Sequence, residues 1–208
     1  MFVQWLRVME IQTLGGLPAH PLFVHLPVVL VPLATVGALL MCIRPSWRRI
    51  YGIPTAVLAV VAAVATQLAI GSGEALEEMV PESRLVETHS QIAEQARPFI
   101  FLFALVVIAA VVVDHLARRR AAGNAPAGDP AAETPAAGDT LTVTRTHPPA
   151  VRSSLATAAL VLSIVGVLLG GVSTVQVYRT GHSGAKATWN DVKKDAGAGT
   201  EGGERDGD

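Results

Sequence analysis

Residues 22–43 read LFVHLPVVLVPLATVGALLMCI. The stretch contains no Asp, Glu, Lys or Arg, and a helix of this length covers about 30 Å, the thickness of a bilayer's hydrocarbon core. Three further stretches, roughly 51–70, 98–113 and 155–177, are equally apolar. Half of the 208 residues are hydrophobic and only 16% are charged, which with a mean hydropathy of +0.44 makes lipid the solvent for much of the chain. The reading is an all-α polytopic membrane protein, a four-transmembrane-helix antiparallel bundle. The third stretch is short, so its helix is expected to run past the apolar residues.

The loops divide by charge. Arg44, Arg48 and Arg49 follow the first span, and Arg118, Arg119, Arg120, Arg145 and Arg152 lie between the third and fourth. By the positive-inside rule that side is cytoplasmic, so both termini are expected outside. The opposite connection, 71–97, is acidic through Glu74, Glu77, Glu78, Glu82, Glu87 and Glu94. The expected organisation is an interfacial segment at 1–19 and a three-span unit at 20–120. An Ala/Pro/Gly-rich disordered linker at 121–150, a fourth span with its outer boundary at 151–190 and a disordered tail at 191–208 complete it. The opening residues lack the pattern of a cleaved signal peptide and are read as retained, with translation beginning at Met1 or Met9.

Nearly neutral formal charge, −1, and no basic stripe mixed with aromatics give no footprint for nucleic-acid binding. One cysteine, Cys42, permits no internal disulfide, CxxC pair or covalent haem attachment. Neither a nucleophile-and-base motif nor a phosphate-cradling glycine loop is present, so an enzymatic role is not expected.

The threading gathers His20, His25, His89 and His182 on the outer side, leaving His115 and His147 on the inner side as solvated residues. Pro21 suits the first turn of a helix, which makes His20 a cap and puts His25 inside the first span, about 7 Å below its entry. Five residues apart on a helix, the two side chains diverge by about 140° and make a poor local chelate. His89, Ala93, Ala96, Ile100, Phe103 and Val107 share a helical stripe that excludes Glu87, Gln91 and Glu94, so His89 is expected to face the bundle. Gln67 is expected at the depth of His25, and Ser173, Thr174 and Gln176 bring further polar groups to the outer half. Gly166 and Gly170 form a small-xxx-small step suited to close helix packing.

The segments GLPAHPLFVHLP, GSGE after the second span, the mid-chain ETH and RTGHSGAKATW together resemble the bacterial membrane proteins grouped as domain of unknown function 2231, over residues 15–189. The resemblance implies an integral membrane protein of bacteria, in the plasma membrane, but carries no activity. Because members of the family are sometimes joined to Rieske or cytochrome-like domains, it also implies a redox setting.

Three readings follow. The composition most directly supports a non-catalytic membrane scaffold or accessory subunit, with a redox protein or a second copy of the chain as partner. The second is a b-type haem protein with His25 and His89 as axial ligands, and His20 or His182 substituting or bonding a propionate. The third is a transition-metal site built from the same four histidines, with Glu74 or Glu94 assisting.

Overall fold

The computed structural model describes residues 13–14, 17–123 and 154–201. Thr13–Leu14 (β1) and Leu17–Pro18 (β2) pair as a minimal antiparallel hairpin. Helices α1 (His20–Phe23) and α2 (His25–Ile43) follow, then α3 (Pro45–Glu77), α4 (Arg84–Gly123) and α5 (Ser154–Glu201). Among the described residues four helical segments are long and apolar enough to cross a membrane: His20–Ile43, Pro45–Glu77, Arg84–Gly123 and Ser154–Trp189. α2 packs on α3, α3 on α4 and α4 on α5, and α5 closes the ring against α2. The four-span helical bundle expected from the apolar stretches is therefore present.

The helices are longer than those stretches. α3, with 33 residues, spans about 50 Å, well beyond a hydrocarbon core of about 30 Å. It continues through Gly71, Ser72 and Gly73, where the connection between the second and third spans was expected to begin, and only residues 78–83 join it to α4. The acidic connection at 71–97 is thus mostly helix. α4 extends beyond 98–113 at both ends, and α5 is helical to Glu201, past the boundary set at 190. The linker from residue 124 to 150, His147 and residues 1–12 lie outside the described residues, as do residues 202–208 of the tail.

Alanine and a few large residues fill the bundle. Phe103, Ile100, Val31, Val107 and Met41 are almost fully buried, with Ala34, Ala38, Ala59 and Ala62 between them. Ala96, Ile100, Phe103 and Val107 are the lower part of the stripe that begins at His89, while Glu87, Gln91 and Glu94 are exposed. Leu, Val and Ile side chains cover the outside, including Val29, Ile53, Leu105 and Leu168, as a lipid-facing surface requires. Two glycines set how closely α2 approaches its neighbours. A Cβ at Gly37 would overlap the Thr55 hydroxyl of α3, and one at Gly170 of α5 would lie 2.5 Å from Thr35 Oγ1 and 3.0 Å from Phe103 Cε2. Gly170 thus packs as its small-xxx-small step suggested; at Gly166 the same test meets only ordinary contacts, 3.6 Å to Val107.

The ends of the bundle differ chemically. At one, which carries the α2–α3 connection and the end of α4, lie Arg44, Arg48, Arg49, Arg118, Arg119 and Arg120. At the other, which carries the α3–α4 connection, lie His20, His89 and the glutamates.

Candidate functional site

The first span faces the bundle through a regular series. Ala19, Pro27, Val31, Ala34, Ala38 and Met41 are buried, at steps of eight, four, three, four and three residues, and His20, seven residues before Pro27, belongs to that face. His25 does not. Its side chain is exposed beside Leu26, Val28 and Val29, and its Nδ1 turns back to the carbonyl of Pro21 at 2.5 Å. The expected roles are therefore exchanged: Ala19 is the N-cap, His20 is the first helical residue and points inward, and His25 points out. The divergence of about 140° allows only one of the two rings to enter, and the buried alanine and proline positions decide which.

His20 meets His89 across the bundle, with ring centroids 6.3 Å apart and ring planes at 83°. Each ring is anchored to a different helix by the same construction. His20 Nδ1 lies 2.9 Å from the Ala69 carbonyl of α3, and the Ser72 hydroxyl donates to that carbonyl at 3.1 Å. His89 Nδ1 lies 3.1 Å from the Thr180 carbonyl of α5 and 3.0 Å from Ser183 Oγ; Ser183 in turn donates to Thr180 at 2.8 Å. One residue after each serine is a glycine on which the ring rests. A Cβ at Gly73 would stand 3.0 Å from His20 Cε1, and one at Gly184 would stand 3.0 Å from His89 Cε1. Carbonyl, serine three residues on and glycine four residues on thus recur as Ala69–Ser72–Gly73 and Thr180–Ser183–Gly184. On a helix these positions fall on one face.

This construction fixes the proton. A carbonyl only accepts, so Nδ1 donates in both rings, and in the neutral imidazole the lone pair then sits on Nε2. Among the described residues neither Nε2 has a hydrogen-bond partner. Both rings line a cavity of about 930 Å³ at the histidine end. Ala93, Ala96, Gly181 and Ala185 leave it room, and Glu74, Glu77 and Glu94 lie on its acidic margin. Ser90 donates to Glu77 at 3.4 Å, which joins α4 to α3 along that margin.

The other expected residues fall differently. His182 is exposed and stacks on Tyr178 at 6.0 Å. Gln67 is half-buried and does not line the cavity; its neighbour Thr66 does, with its hydroxyl returned to the Ala62 carbonyl. Glu74 and Glu94 line the cavity with exposed side chains. Among the described residues no three His, Cys, Asp or Glu side chains converge as a metal centre. Sequence reasoning missed both serine–glycine pairs. Their signal is the dipeptide Ser-Gly at the histidine ends of two spans, one within GSGE and one within GHSG.

Comparisons with curated proteins and with solved structures each return no match. The family model described as "Predicted membrane protein (DUF2231)" matches residues 16–196, a range that contains both histidines, both serine–glycine pairs and all four spans, and the chain belongs to that family.

Proposed function

We propose that this membrane protein binds a b-type haem at its histidine end, with His20 and His89 as the two axial ligands and a redox protein as its partner. The observation that carries the reading is the matched anchoring of the two rings. Each donates Nδ1–H to a backbone carbonyl and leaves Nε2 open, which is how metal-ligating imidazoles are commonly oriented. Bonds of about 2 Å from imidazole nitrogen to metal put two rings on opposite sides of one ion with centroids roughly 6 Å apart, in keeping with the 6.3 Å separation here. A haem takes only two ligands from the protein and one-electron chemistry is what it supplies, whereas a bare transition-metal ion needs further donors. His25 and His182, the remaining histidines of the expected metal site, face away, so the pair favours haem over a bare metal. The arginine distribution supports a placement in the plasma membrane with the histidine end outside.

A reduced-minus-oxidised absorption spectrum tests this directly. Full-length protein expressed with ample haem should show Soret and α bands, lost in both His20→Ala and His89→Ala and kept in His25→Ala. Absence of bands in the wild-type protein, or loss with His25→Ala alone, sinks the assignment. The same hydrogen bonds favour a second reading, a non-catalytic scaffold or accessory subunit in which His20 ties α1 to α3 and His89 ties α4 to α5. That role predicts reduced stability or partner recovery in the two variants, with no chromophore in any form of the protein.

A further inference from the structure

At the basic end, Arg48 is 7% exposed although it carries a charge. Among the described residues its Nε has no hydrogen-bond acceptor; it stands 3.8 Å from Asp114 Oδ1 of α4, while a guanidinium nitrogen reaches the Ala156 carbonyl of α5 at 3.4 Å. Asp114 also pairs with Arg118, one turn along α4. Arg48, Arg49 and Arg118 border a cavity of about 320 Å³ between α3 and α4, with His115 at its edge. Among the described residues Asp114 is one carboxylate beside three guanidinium groups, and Arg48 closes the first turn of α3, where the helix dipole repels cations.

The other wall of the cavity is apolar. Ile53, Val112 and Leu116 line it and are respectively 68%, 49% and 43% exposed, so the basic pocket continues onto the lipid-facing surface. Trp47 and Tyr51 meet edge to face at 6.1 Å, with the Arg44 guanidinium 5.9 Å over Trp47. Paired aromatics and arginine at the end of an apolar span mark the headgroup level of a bilayer.

We infer that the cavity formed by Arg48, Arg49 and Arg118 binds the phosphate of an anionic phospholipid, whose acyl chains lie along Ile53, Val112 and Leu116. The phosphate offsets the excess positive charge of the three arginines that line the cavity. Basic pockets between transmembrane helices recognise lipid headgroups by this chemistry, and guanidinium groups suit phosphate oxygens. A free phosphate ion has the same headgroup chemistry but makes no use of the apolar wall.

Thermal unfolding of the full chain in dodecyl maltoside separates these sources. Dihexanoyl phosphatidylglycerol should raise the midpoint saturably, whereas dihexanoyl phosphatidylcholine or inorganic phosphate at the same concentration should not. Arg49→Gln, at an exposed side chain, and the double variant Arg49→Gln/Arg118→Gln should raise the half-saturating concentration of the glycerol lipid, the double variant by at least about tenfold. Arg120→Gln, an exposed charge outside the cavity, should respond as wild type does. Equal stabilisation by both lipids, or an unchanged response in both Arg49 variants, overturns the site. Stabilisation by inorganic phosphate equal to that by the glycerol lipid overturns the lipid assignment.

Discussion

At His89 one ring nitrogen is held and the other is open, and a glycine makes the holding geometry available. Replacing the Gly184 hydrogen by a methyl group would put a carbon 3.0 Å from His89 Cε1 and 3.3 Å from Nδ1, so the ring must give by a few tenths of an ångström against its bond to the Thr180 carbonyl. Gly171, on the same helix, has nothing within 4 Å of such a carbon among the described residues. Gly171→Ala should therefore gain the helix-propensity difference of about 0.5–1 kcal/mol. In Gly184→Ala that gain is opposed by weakening of a hydrogen bond of similar size. Unfolding titrations of the two variants should separate in that order, and an equal gain at both positions would show that the ring does not rest on Gly184. His89 was legible because polar and apolar residues alternate around its helix. His20 and His25 were not, because nearly every side of the first span is apolar and only the size of its residues distinguishes the inner face.

At the scale of elements, existence and approximate placement of the four spans follow from hydropathy alone, since a lipid environment leaves few alternatives to a helix. Their ends do not. α3 passes through Gly71 and Gly73, where Gly73 receives His20 and Ser72 satisfies its hydroxyl on the preceding turn. The contact of α2 with α3 depends instead on Gly37 fitting against Thr55. Gly37→Ala is expected to destabilise the bundle by about 1–3 kcal/mol through overpacking, and Thr55→Ala in the same chain should recover part of the loss. Non-additivity in that double-mutant cycle is the measurement; simple additivity would mean that the two helices adjust independently.

Across the whole molecule, charge is sorted to opposite ends, and the arginine-rich loops made that polarity visible before any packing was known. The specific partners were not visible, because Arg48, Asp114 and Ala156 come together from three helices. Removing the carboxylate in Asp114→Ala leaves Arg48 buried without its acidic neighbour and is expected to cost about 3–5 kcal/mol, seen as a lower midpoint in a denaturing-detergent titration; an unchanged midpoint would mean that water or lipid already neutralises Arg48. The two histidine anchors lie at the opposite end, and both are main-chain carbonyls. A carbonyl turns with its helix by about 100° and advances by about 1.5 Å for each residue of register. Side-chain substitution nearby leaves such an anchor in place, whereas rotation or sliding of α3 or α5 carries it away. The distance between the two rings is therefore a gauge of helix register, set jointly by the first and second halves of the chain.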